Sequence, residues 1–297
     1  MSRPPTILSF EIPTGDGYPV RADLYPPVRR PAPAVVILCH GFKGHRRWGF
    51  LPDLALGLQQ AGLAAVSMDF SMNGRSRIFS SDSDCRAPFN QPDAFSLNTI
   101  RRELDDLAAV VRVIKSTRLD GRLAPDAPIG LFGHSRGALI ALVTAIEQKT
   151  FQAICTWSTP ADADFFTPEQ KKKWRREGAY QFTDASDGVA LSIDIGYLED
   201  IETNAERYRV ADRIGGLKAP LLMVHGSQDL VVSPQSAERI FQAAGRPGNI
   251  RVFTVRTGHT FGFAGRPGSA AGPFAAALAE TLPWFKNHLL AGEDLNG

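Results

Sequence analysis

The segment GHSRG, residues 133–137, sets Ser135 between two glycines, directly after the apolar run PIGLFG and directly before ALIALVTAIE. A serine on a sharp strand-to-helix turn exposes its hydroxyl for attack on a carbonyl, and glycines are needed where strand and helix come too close for side chains. A hydroxyl is a weak nucleophile at neutral pH. Chemistry at Ser135 therefore needs a base within hydrogen-bond reach and a third group that orients the base. Without such partners Ser135 is an ordinary serine on a glycine-rich turn.

Six histidines compete for the role of base. His40 and His225 end apolar runs beside glycine, His45 lies in the first loop, and His134 precedes the serine, where its side chain points away from the hydroxyl. In hydrolases built on this turn the chain order is serine, acid, histidine, which leaves His259 and His288. His288 falls in the closing segment PWFKNHLLAG and is expected to be exposed. His259, in GHTFGF, follows the strand-like IRVFTVRTG, at the end of an open α/β sheet where sites assemble. For the acid, Asp229 in VHGSQDLVV is favoured, with Asp162 and Asp164 after CTWSTP as competitors.

Acyl transfer also requires N–H donors aimed at the oxygen that becomes negative, each worth about 3 kcal/mol. The amide of Arg136, at the helix start, and the amide of Phe42, in HGFKG, are placed to supply them. Around the entrance, Phe42, Trp48, Trp174 and Tyr180 offer an apolar acyl or aryl pocket, while Lys43, Arg46 and Arg47 favour an acidic substrate; simple packing or solvation is the alternative for each.

These residues must be held by a scaffold, and its elements are legible. LSFEIPT and VRADLYPP alternate like half-exposed strands joined as a hairpin. Short continuous apolar runs then recur at AVVILCHG, LAAVSMDF, PIGLFGHS, FQAICTWS, PLLMVHG and IRVFTVRTGHT, separated by longer stretches with helical periodicity. Helices are expected near residues 50–61, 96–118, 136–149, 234–244 and 273–290. Alternating strands and helices imply a mostly parallel sheet flanked by helices. Between CTWSTP and APLLMVHG lie roughly sixty residues where a simple crossover needs about a dozen. The excess, residues 160–216, is expected to form a partial helical cap, with KKKWRR on a solvated helix face.

The chain has 297 residues and a net charge of +2, from 33 basic and 31 acidic side chains. That balance gives no field to attract nucleic acid or an anionic membrane and points to a small-molecule ligand. The amino terminus lacks a signal-peptide core and no apolar run is long enough to cross a bilayer, so a cytoplasmic protein is expected, with homo-oligomer formation left open. Cys39, Cys85 and Cys155 are widely spaced and odd in number, so neither a disulfide framework nor a metal site is expected.

Taken together, HGFKG, GHSRGA, HGSQDLVV and GHTFG resemble the α/β-hydrolase superfamily, in its dienelactone-hydrolase, prolyl-oligopeptidase-domain and feruloyl-esterase-like branch. The resemblance spans about residues 6–290. It implies one domain over 1–297 built on a mostly parallel eight-stranded sheet, with the cap inserted after the sixth strand, and Ser135, Asp229 and His259 as triad without a cofactor. The implied activity is that of a serine hydrolase of esters, thioesters or, less often, peptides; the inserted segment and the aromatic residues around the entrance point to carboxylic esters of small to medium acyl or aryl substrates. An acyl thioesterase, a small-peptide hydrolase and a ligand-binding protein that has lost catalysis are the alternatives. The sequence departs from the family at DFSMNGRS, where Met72 stands in place of a glycine, and the polar loop that follows is expected at the mouth of the site.

Overall fold

The computed structural model describes residues 7–75, 89–184, 188–245, 248–263 and 272–290. The chain opens with β1 (Leu8–Ile12), β2 (Val20–Tyr25) and β3 (Val35–Cys39), followed by α1 (Leu51–Gln60), β4 (Ala64–Met68), α2 (Pro92–Ser96) and α3 (Ile100–Gly121). Next come β5 (Ile129–His134), α4 (Arg136–Glu147) and β6 (Phe151–Trp157). An intervening stretch holds α5 (Pro168–Glu177), β7 (Ala179–Thr183), β8 (Ala190–Asp194), α6 (Ile195–Thr203), α7 (Ala205–Tyr208) and α8 (Val210–Arg213). The chain closes with β9 (Leu221–Gly226), α9 (Gln235–Ala244), β10 (Ile250–Val255) and α10 (Pro273–Leu289).

Eight strands form one sheet in the order β1-β2-β4-β3-β5-β6-β9-β10. Only β2 runs antiparallel to its neighbours β1 and β4; the other pairings are parallel. All eight strand-like runs of the sequence are strands. The central ones are continuous apolar runs because both sheet faces are covered. One face packs under α3, α4, α8 and α9, and the other under α1 and α10.

The strand order also locates the site. From β3 the chain steps outward to β4, then crosses back to place β5 on the other side of β3. The loops leaving β3 and β5 therefore diverge and leave a crevice between them at their carboxyl ends, where open α/β sheets bind ligands. These two loops carry HGFKG and Ser135.

The stretch between β6 and β9 is not purely helical. Where helices were expected, AYQFT and ALSID pair as an antiparallel hairpin, Tyr180 opposite Ile193 and Phe182 opposite Leu191. Its alternation is only two or three apolar residues long per strand and is swamped by helix formers on either side. The KKKWRR segment does form α5, capped by Thr167 and Gln170 and ended by Gly178 in the left-handed region. Its basic residues face solvent or carboxylates, with Lys171 paired to Asp164 and Arg175 to Glu202, and Trp174 alone is buried. Residues 76–88 of the polar loop expected at the mouth, with Cys85, lie outside the described residues.

Candidate active site

Ser135 sits at the turn from β5 into α4 with φ 55° and ψ −122°, a conformation that L-residues avoid and that turns its side chain out of the sheet. The flanking glycines are required by contact. A Cβ on Gly133 would lie 2.3 Å from the Gly137 carbonyl oxygen, and a Cβ on Gly137 would lie 2.4 Å from that of His40. Strand, turn and helix touch backbone to backbone, which fixes the angle at which the hydroxyl emerges.

His259, in the loop after β10, brings Nε2 to 3.0 Å from the Ser135 hydroxyl. Its Nδ1 lies 2.8 Å from Asp229 Oδ2, in the loop after β9. The other Asp229 oxygen accepts the amides of Val231 and Val232, both at 2.9 Å. Burial pushes the Asp229 carboxyl up, but the His259 hydrogen bond, the Val232 amide, the Ser158 side chain and the charge of His259 outweigh it and hold it well below the usual carboxylate range. An anionic Asp229 places the proton on Nδ1, so Nε2 presents its lone pair to the serine. The competitors meet other partners. His288 is exposed and bonded to the Trp284 carbonyl, Asp162 faces Arg239 at 3.6 Å, and Asp164 pairs with Lys171.

His134, which sequence reasoning set aside, supports His259 from behind. Its Nε2 is 3.0 Å from the His259 carbonyl oxygen, and its ring stacks on Trp48 at 5.5 Å. Burial and the nearby His259 lower its pKa to about 3. Burial likewise lowers His40 and His225. A histidine held neutral in the fold confers stability that is complete above its unfolded pKa of about 6.5 and is lost as pH falls below it, because only the unfolded chain then takes up the proton. His134 is expected to remove about 1 kcal/mol of stability per pH unit below that point, and His40 and His225 act in the same direction. Urea unfolding between about pH 7 and pH 5 measures the slope, and it should be shallower in His134→Gln.

The amide of Arg136 is the first of α4, where no helical acceptor exists and the helix dipole is positive. The Phe42 loop passes directly against the nucleophile: a Cβ on Gly41 would sit 3.2 Å from Ser135 Cβ. The Gly44 amide donates to the Gly41 carbonyl at 3.0 Å, closing a turn around Phe42 and Lys43. Neither the Phe42 nor the Arg136 amide has an acceptor among the described residues.

Ser135 opens on a cavity of about 790 Å³ whose wall includes Phe42, Arg136, Phe166, Tyr180, Phe182 and Tyr197. The Arg136 guanidinium lies 4.0 Å from the Phe42 ring centre and 4.9 Å from that of Tyr197. It donates to the buried Glu103 at 3.3 Å and to the Tyr197 hydroxyl at 3.1 Å. Phe166, Phe182, Tyr197 and the Arg136 side chain were not singled out in the sequence; for Arg136, adjacency to Ser135 was the available signal. Of the substrate contacts expected, Tyr180 and the Phe42 ring are on the wall.

The remaining expected contacts are corrected. Trp48 stacks on His134 and packs edge-on to Phe50 and does not line this cavity. Trp174 is fully buried, 5.9 Å from Tyr197 and nearly parallel to it, as a support for the wall. Lys43 is turned to Asp184 at 3.1 Å. Arg46 and Arg47 are buried against Asp23 at 3.0 and 2.5 Å. Charges placed so close to carboxylates neutralise them instead of facing a substrate. Among the described residues no group of three or more histidine, cysteine or acidic side chains could hold a metal ion, and no helix is long and apolar enough to cross a membrane.

This sheet order and crevice are those of the α/β-hydrolase fold. The family described as serine aminopeptidase, S33, matches residues 30–174. Among solved structures, Est1E from Butyrivibrio proteoclasticus is similar at 18% identity and a TM-score of 0.67, covering 95% of this chain and 99% of its own. The same protein has been solved with ferulic acid bound. A dienelactone hydrolase from Anabaena variabilis is similar at 18% identity and a TM-score of 0.61, covering 97% and 100%. No curated protein matches by sequence. The chain thus has the α/β-hydrolase fold, and the solved structures similar to it in fold include an esterase domain from Rhodothermus marinus.

Proposed function

We propose that the protein is a serine esterase that cleaves carboxylic esters of small to medium acyl or aryl substrates through an acyl-enzyme. The observation that carries this reading is the unbroken relay Ser135–His259–Asp229, 3.0 and 2.8 Å in its two steps, opening on an aromatic-walled cavity. His259 Nε2 takes the hydroxyl proton as Ser135 Oγ attacks the ester carbonyl. The amides of Phe42 and Arg136 receive the negative oxygen of the tetrahedral intermediate. Collapse expels the alcohol, which takes the proton from His259, and a water activated by the same imidazole releases the acid. The segment 160–216 acts as a partial cap, contributing Phe166, Tyr180, Phe182 and Tyr197 to the cavity wall.

A fluorophosphonate probe tests the reading directly. Stoichiometric labelling of the wild type that is lost in Ser135→Ala supports it; folded wild type that stays unlabelled points instead to a binding protein that has lost catalysis.

Substrate length follows from the bounded cavity. Soluble p-nitrophenyl esters should be cleaved best at about two to eight acyl carbons, by analogy with esterases of this fold. Specificity constants across acyl lengths measure this. A maximum at long chains together with activation at an oil interface would contradict it and mark the inserted segment as a lipase lid.

A further inference from the structure

The hairpin of the inserted segment is fastened to the loop that carries Phe42. Residues two apart on an extended strand share a face, so Phe182 in β7 and Asp184 just beyond it are presented to the same side. Phe182 lies 5.9 Å from Phe42, ring centre to ring centre. Asp184 is only 2% exposed and accepts from Lys43 Nζ at 3.1 Å, with Arg75 Nη2 at 3.8 Å. Arg75 Nε donates at 2.9 Å to the carbonyl of Lys43. Lys43 thus has both its side chain and its backbone oxygen tied to one carboxylate, directly or through Arg75.

Two features say that this tie serves a purpose beyond filling space. Lys43 has φ 62°, in the left-handed region that a lysine avoids, so its turn needs outside contacts to persist. Asp184 is itself fixed, its amide donating to the Val189 carbonyl and its carbonyl accepting from the Gly188 amide, both at 2.8 Å. Tyr197 of α6 in turn holds Arg136 by hydrogen bond and ring contact. The inserted segment therefore grips both residues whose amides face the developing oxyanion.

We infer that Asp184 is a positioning residue that sets the Phe42 amide through Lys43 and Arg75, making the inserted hairpin a fixed part of the oxyanion hole instead of a lid that swings clear. This inference rests on the esterase reading for the role of the Phe42 amide. A donor that matters more in the transition state than in the ground state changes kcat and leaves KM nearly alone when it is misplaced.

The test compares Asp184→Ala, Lys43→Met and Lys43→Arg with wild type, each checked for folding by its melting transition. Lys43 is partly exposed, so its variants remain informative where burial makes Asp184→Ala fail to fold. Asp184→Ala and Lys43→Met should lower kcat on p-nitrophenyl butyrate by about 10- to 100-fold with KM within about twofold. Inhibition by benzeneboronic acid, which mimics the tetrahedral state, should weaken by a similar factor, and Lys43→Arg should recover most of the loss. Hydrogen–deuterium exchange over residues 41–45 should quicken about tenfold in Asp184→Ala. Folded variants with unchanged kcat, a loss confined to KM, or unaltered exchange over 41–45 would each overturn the inference. A wild type that neither turns over nor takes the fluorophosphonate defeats the esterase reading instead, and the exchange measurement then decides by itself whether Asp184 holds the loop.

Discussion

Replacing Ser135 by alanine is expected to lower kcat by about 10⁴-fold or more, with His259→Ala close behind and the double variant no worse than either alone. The non-additivity follows from the 3.0 Å contact: each side chain acts only through the other, so removing one disables both. Stability should hardly move. The Ser135 side chain makes no hydrogen bond other than that to His259 among the described residues, and the turn is held by backbone contacts at Gly133 and Gly137. Initial rates on a soluble ester, with a melting curve for each variant, decide the matter. Substantial residual turnover in either single variant would remove the relay from the mechanism.

Asp229→Asn is expected to lower kcat by about 10³- to 10⁴-fold while the protein remains folded. The aspartate holds its place through the Val231 and Val232 amides on Oδ1 and meets His259 through Oδ2. An asparagine keeping the amide contacts on its oxygen would turn its NH2 toward His259, moving the imidazole proton to Nε2, where it blocks proton acceptance from Ser135. Asp162→Asn and Asp164→Asn should stay within about threefold of wild type, since those carboxylates meet Arg239 and Lys171. The reverse ranking would place the acid after β6. Because Asp229 is held well below the usual carboxylate range, it stays ionised through moderately acid pH and should add no limb of its own to the kcat/KM profile there.

Sequence by itself determined the sheet and the relay. The strands were legible because a strand buried on both faces must be apolar along nearly its whole length, as VVILC and the LLMV of LLMVHG are. Ser135 was legible because its turn leaves a local mark: Gly133 is forced by contact with Gly137 and Ala138, within five residues, while Gly137 is forced by the carbonyls of Cys39 and His40 at the end of β3. His259 and Asp229 followed from chain order and from their places just beyond strand ends, where the sheet gathers its loops.

Tertiary structure alone decided what surrounds them. Trp48 and Trp174 have the composition of a substrate wall, yet Trp48 packs on His134 and Trp174 lies behind the wall, whereas Phe166, Phe182 and Tyr197 help form it. Hydropathy reports that an aromatic ring leaves water; it does not report whether the ring meets the core or a cavity. Lys43 finds its carboxylate at Asp184, 141 positions along the chain, and Arg136 its carboxylate at Glu103, 33 positions back. No local periodicity encodes such pairs, because they arise only when the inserted hairpin and α3 are packed onto the sheet, and the cost of burying each charge is offset only by the partner that packing delivers.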